Sequence, residues 1–249
     1  MVDYAFTWMM VFLRGMGVVL LMPEFAGYSP PVMLRVGFNA FLATLVVGAV
    51  PLGHVPADLW HLAGAAAGET LLGLALGYVC RLVFGAVDFA GRLMSSEVGL
   101  SAAPEFHGPD ISSAPLASMI TSFAAILFFL LGGQLAVIGA VVRSFEFAHP
   151  GHPAIGHAAT EEVVVATARV IELGVRIAAP FIGLNFLLTL AFAAVGRTLP
   201  RMPVFVVSLS ARALMGMGLL AGAGTLIARH LFSAYQDLPV RLLELVAVR

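Results

Sequence analysis

The stretch that decides the fold runs from Ala179 to Arg212, APFIGLNFLLTLAFAAVGRTLPRMPVFVVSLSAR. Its first part is apolar nearly all round and is long enough for a helix that crosses a bilayer core, which takes ~20 residues. Asn185 sits in the middle of that run, and Gly196 and Arg197 close it. Pro200 and Pro203 cannot continue a helix interior, because each lacks an N–H and clashes with the preceding turn. A second apolar run, Val204 to Leu226, starts at once. The stretch therefore predicts two hydrophobic helices joined by a short, doubly basic, proline-punctuated turn.

The whole chain shares that character. Of its 249 residues 60% are hydrophobic and only 11% are charged, with a mean hydropathy of +0.99. A soluble domain carries roughly 25% charged residues and could not cover its surface with so few. An all-α fold follows, a hydrophobic multi-helix integral membrane protein of about six long apolar helices or helix hairpins. The net charge of −1 argues against a nucleic-acid partner, which needs a basic surface. A single cysteine, Cys80, excludes an intrachain disulfide and a multi-cysteine metal site. Asp3 stands where a cleavable signal would carry positive charge, so the N-terminal run is expected to be retained.

Several polar residues interrupt the apolar runs. Arg14 is the only charge between Tyr4 and Met22, and Glu69 lies deep in the run from Trp60 to Cys80. A charge at mid-span costs at least ~2.5 kcal/mol on insertion scales and usually faces a partner helix or water. For Glu69 a role in positioning helices is favoured over a proton relay, since no second buried acid accompanies it. For Arg14 structural and functional readings stay open. Gly64 and Gly68, Gly73 and Gly77, and Gly218 and Gly222 are each four apart, a spacing that lets helices approach closely.

From Arg81 to Gly99, the residues Arg81, Gly85, Asp88, Arg92, Ser95 and Gly99 share one helical face. Arg81, Asp88, Arg92 and Ser95 are candidates for the lining of a wet conduit; a solvated face on an interfacial helix explains them equally. Ser101 to Pro115 cannot be regular helix, and its acids Glu105 and Asp110 keep it out of lipid. His149, His152 and His157 are placed in one loop, but no helix face aligns them and no metal site is expected. Thr160, Glu161 and Glu162 read as a helix start, Pro180 as a kink or break, and Arg229 to Arg249 as a tail at a membrane or partner surface. There is no lysine for a phosphate-binding loop, no HExxH, and no serine–histidine–aspartate constellation; neither an enzyme nor a cofactor is expected.

Asn185 followed by GRTLPRMPVF resembles the C-terminal part of the FliR family of flagellar export proteins and their injectisome relatives. Other motifs follow in family order: the proline-bearing segment PEFAGYSPP with Arg35 after it, GETLLGLALG around Glu69, EVGLSAA before the irregular loop, and SFEFAHPG. Three departures are visible. Arg201, Met202 and Pro203 stand where the family tends to show a Gln-Met-Asn-like triplet, Gln134 where it often has histidine, and Ala102 and Ala103 where relatives carry another aromatic. The resemblance covers almost the whole chain and implies a single export-gate domain over residues 1–249. It implies a non-enzymatic subunit of the type III export gate in the bacterial inner membrane and flagellar basal body. Its partners would be FliP and FliQ homologues in a helical assembly, with FlhA and FlhB homologues beside it and unfolded export substrates passing through the centre.

In that family the irregular loop plugs the closed pore. The resemblance thus makes Phe106 a plug side chain, with Pro104, Glu105 and His107 around it. Glu69, Asn185, Arg197, Pro200, Arg201, Pro203 and Phe205 would position helices. Two other classes compete: a transporter or enzyme built on Glu69 and buried arginines, and a metal transporter using the three histidines.

Overall fold

The computed structural model describes residues 1–22, 31–56, 58–99, 115–152, 157–198 and 204–246. Of the described residues 91% are helical, and no strand occurs among them. Helix α1 spans Val2–Leu21, α2 Val32–Val46 with a single 3-10 turn Val47–Ala49 behind it, and α3 Leu59–Val98. Then come α4 Pro115–Leu130, α5 Gly133–Phe147, α6 His157–Thr198 and α7 Val204–Val246.

Glycine and proline explain the breaks. Pro51 follows the 3-10 turn, and Gly132, at φ 71°, separates α4 from α5. A left-handed residue there lets the chain turn sharply where a side chain with a Cβ would be strained. Among the described residues five helices are long and apolar enough to cross a membrane, and the spans number up to six if α4 and α5 form one bent span. With 40, 42 and 43 residues, α3, α6 and α7 exceed what a bilayer asks for. At 1.5 Å rise per residue each is about 60 Å long, roughly twice a hydrocarbon core of ~30 Å.

Three expectations need correction. Of the kink or break expected at Pro180, the break does not occur, since α6 runs through it, and α7 likewise runs through Pro239. Where water is scarce, neighbouring groups re-satisfy the carbonyl that a proline leaves free, so the helix persists. Helix α6 starts at His157, so Thr160 lies within its first turn rather than capping it, and His157 belongs to the helix rather than to a loop. The C-terminal tail is not a separate surface segment. It continues α7, and its stripe of Tyr235, Leu238, Leu242 and Leu245 is buried within the chain.

Contacts gather into two compact units. The first comprises Met1–Val83, Phe128–Arg169 and Ala234–Arg249. Here Trp8 stacks on Phe12 at 5.4 Å between ring centroids and donates from Nε1 to Thr44 Oγ1 at 3.0 Å. Asn39, buried on α2, donates to the Phe12 carbonyl of α1 at 2.8 Å. Val11, Ala43, Val50 and Phe145 close a core between α1, α2 and α5, and Tyr235 meets Phe128 edge-on at 5.3 Å.

The backbones of α1 and α3 touch in this unit. A Cβ on Gly17 would lie 2.5 Å from the Leu74 nitrogen, and one on Gly73 would strike the Arg14 carbonyl. The second unit comprises Phe84–Leu127 and Val170–Ser233. Its core faces are Ala86, Val87, Ala90, Met94 and Val98 on α3, with Ile177, Ala178 and Phe181 on α6.

Candidate functional site

The first unit is built around a buried ion pair. Glycine 73 lets α3 press against the backbone of α1 at Arg14, and Glu69 precedes Gly73 by one helical turn. The close approach therefore brings the two charges face to face. Arg14 Nε donates to Glu69 Oε2 at 2.7 Å, and both side chains are 0% exposed. Arg14 Nη1 donates to Ser144 Oγ at 2.8 Å and Nη2 to the Ala148 carbonyl at 3.1 Å. The guanidinium lies over the Phe145 ring, 3.6 Å from its centroid. The other Glu69 oxygen, Oε1, accepts from the Gly151 amide at 3.1 Å. Gly151 has φ 85°, a left-handed turn that aims this amide at the acid.

All three guanidinium nitrogens and both carboxylate oxygens thus have partners, which is the condition under which a buried pair is tolerated. The cluster ties α1, α3, α5 and the turn behind α5 together. Its chemistry is that of a joint: both charges are consumed by each other and by local donors and acceptors, and neither meets solvent. The Glu69-based transporter or enzyme loses its main attraction for that reason, since a relay acid needs a path to water.

Arg14 is the residue that the sequence reading left without a role. The signal was present: the runs Tyr4–Met22 and Trp60–Cys80 each carry one charge, of opposite sign. Ser144, Asn39 and Glu97 were missed, and nothing local in the sequence distinguishes them.

In the second unit Asn185 Nδ2 on α6 donates to Glu97 on α3. Thr189 Oγ1 donates to the Asn185 carbonyl at 2.8 Å, and Arg212 Nη2 on α7 donates to Thr189 Oγ1 at 3.2 Å. Arg197 is exposed in the last turn of α6.

The face expected to line a conduit divides. Arg81 is exposed, and Arg92 pairs with Asp88 at 2.8 Å with both side chains largely exposed. Ser95 is fully buried and donates back to the Gly91 carbonyl at 2.9 Å, so it does not share that exposed face. The i,i+4 pair Glu172–Arg176 forms at 2.5 Å. Pro104, Glu105, Phe106, His107, Pro200, Arg201 and Pro203 lie outside the described residues, as does the side chain of Phe205 in the first turn of α7. Among the described residues no group of three histidine, cysteine, aspartate or glutamate side chains is placed to hold a metal.

Long apolar helices held by an internal, fully paired charge cluster define a multi-helix membrane protein whose polar residues join helices. Comparison with known proteins then places it. The model of the family described as "Bacterial export proteins, family 1" matches residues 5–238. The chain is 28% identical to the flagellar biosynthetic protein FliR of Caulobacter vibrioides over 235 residues, covering 92% of each chain. It is 27% identical to FliR of Escherichia coli, over 89% of this chain and 86% of that one. It is also 23% identical to the secretion system apparatus protein SsaT of Salmonella typhimurium, over 82% of this chain and 81% of SsaT. The chain belongs to family 1 of the bacterial export proteins.

Proposed function

We propose that this protein is a core, non-enzymatic subunit of the flagellar type III export gate in the inner membrane, forming part of the conduit for unfolded flagellar proteins. Its partners in this reading are FliP and FliQ homologues packed with it in a helical assembly, with FlhA and FlhB homologues beside it. The observation that carries the reading is the uncovered apolar length of α6 and α7. Exposed large apolar side chains run from Val164 to Val195 on α6 and from Val206 to Val240 on α7, a stretch of about 45–50 Å on each helix. Helices about 60 Å long cannot hide such surface in a core of ~30 Å. Helices of other subunits can. The FliR relatives, matched over about nine-tenths of both chains, support the flagellar system.

The plug belongs to this proposal. Phe106, flanked by Pro104, Glu105 and His107, would close the conduit at rest, and Arg81, Asp88 and Arg92 would face its wet interior. Loss of the gene should abolish export of flagellar subunits and motility, and restoration in trans should recover both; normal export without the gene would sink the reading. The likeness to SsaT supports a second reading, an injectisome subunit of the same family. Complementation separates the two. A strain lacking its flagellar FliR should be rescued by this chain when the matching FliP and FliQ are supplied, and a strain lacking the injectisome subunit should not.

A further inference from the structure

Helix α5 carries two charges at a depth where the first unit is otherwise apolar. From Leu62 to Cys80 on α3 the one charged residue is Glu69, at least ~10 Å from either end of that run at 1.5 Å per residue. Arg14, its partner, donates to Ser144 Oγ at 2.8 Å and to the Ala148 carbonyl at 3.1 Å, so the last turn of α5 lies at the level of the buried pair. Ser144 and Phe145 face the pair and are buried. Arg143 and Glu146, on the same turn, lie on the outer side and are exposed. Neither has a side-chain partner among the described residues.

A charge at mid-depth is disfavoured against lipid and meets either a counter-charge or water. Two features of this face decide between those. Leu135 and Phe147 are exposed beside the charges, which suits a packed helix and not the wall of a wet passage. Gly139 lies one turn before Arg143, and a Cβ there would meet nothing within 4 Å. The chain uses this arrangement once already. Gly73 lies one turn from Glu69, and through it α1 comes close enough for Arg14 to reach the acid. Gly139 and Arg143 repeat that spacing of glycine and charge on a face that none of the described residues covers.

We propose that the outer face of α5, from Leu135 through Gly139, Arg143 and Glu146 to Phe147, is the docking face for an apolar helix of a neighbouring export-gate subunit, which lies in the notch at Gly139 and brings a carboxylate to Arg143. The naming of the neighbour rests on the export-gate reading; the chemistry of the helix that fits rests on this face. The guanidinium favours a carboxylate because its forked N–H donors match the two oxygens. Glu146 calls for a donor on the same incoming helix, one turn from that carboxylate. A purely apolar helix would leave both charges buried and unpaired and is rejected.

The test uses the full chain, tagged and co-expressed with the FliP and FliQ homologues of the same genome. Arg143→Met should leave the yield and thermal midpoint of the chain expressed alone at or above those of the parent, since no bond within the chain is lost. It should lower recovery of the complex at least about tenfold. Gly139→Leu should do the same by filling the notch. Arg143→Lys keeps the charge without the forked donors and should fall between. Arg143→Glu should abolish assembly. Combined in turn with an arginine at each carboxylate in the apolar helices of the two neighbours, it should recover the complex in one combination.

Assembly indifferent to Arg143→Met and Gly139→Leu overturns the proposal and leaves the export-gate reading standing; a parent chain that never joins these subunits overturns both. Normal assembly of Arg143→Met with altered leakage of small solutes gives the face to water, and normal assembly with better membrane insertion gives it to lipid; either result overturns the proposal. Failure of every charge exchange to recover the complex overturns the carboxylate. Should Arg143→Glu fold poorly when expressed alone, Arg143→Met and Gly139→Leu decide by themselves.

Discussion

A charge in the middle of an apolar helix can face water, reach for the membrane surface, or meet a counter-charge. Arg14 takes the third course, and the completeness of its bonding decides how it answers to mutation. Removing one partner of a buried pair typically costs ~3–5 kcal/mol, because the survivor stays buried and unpaired. Arg14→Ala and Glu69→Ala should each reduce the yield of folded protein in mild detergent severalfold and lower its thermal midpoint, measured by size-exclusion of a fluorescent fusion. The double variant Arg14→Met with Glu69→Met should recover part of the loss, since it leaves no buried charge. Recovery should stop short of the parent, because the Ala148 carbonyl and the Gly151 amide lose these partners. A double variant no better than either single one would mean that the pair's hydrogen bonds, and not its charge balance, hold this unit together. Each charge is legible in the sequence. The pairing is not, because the two residues lie 55 positions apart and meet only through the packing of Gly17 and Gly73.

Among the elements, glycine spacing separates into positions that are used within the chain and positions that are not. Gly73 and Gly77 both press on α1, whereas a Cβ on Gly64, Gly218 or Gly222 would meet nothing within 4 Å. The sequence pattern is the same in each case, so spacing alone could not tell them apart. Gly73→Leu should therefore separate α1 from α3 and destabilise the isolated chain.

Gly218→Ala and Gly222→Ala should leave it as stable or more so, by up to about 1 kcal/mol each, since alanine is the better helix former. The informative comparison is thermal stability alone against stability in the presence of the partner subunits. If another helix lies on this face, the same alanines should weaken co-assembly; equal stability in both settings would leave the face to lipid. Helix limits set by Pro51 and Gly132 were readable from local chemistry. The continuity of α6 and α7 through Pro180 and Pro239 was not, because whether a proline breaks a helix depends on what surrounds it.

At the scale of the whole molecule the apolar surface of α6 and α7 becomes a statement about company. A chain that buried this surface by itself would be stable alone in detergent; a chain that relies on neighbours should be sparse and prone to aggregate until they are present. The fold class was legible from composition, because 11% charge cannot cover a soluble domain. The covering of these helices was not, because it requires surfaces that belong to other chains. Co-expression decides the matter. With the FliP and FliQ homologues of the same genome, the tagged chain should elute as one large complex containing all three, and its yield should rise severalfold over the chain expressed alone. Phe106→Ala, placed in that complex, should leave its yield unchanged and raise leakage of small solutes into cells that make it. A complex that forms normally and stays tight with Phe106→Ala would remove the plug role while keeping the assembly. A chain that is monodisperse alone and never joins the other two would remove both, because its apolar helices would then have found their cover in lipid.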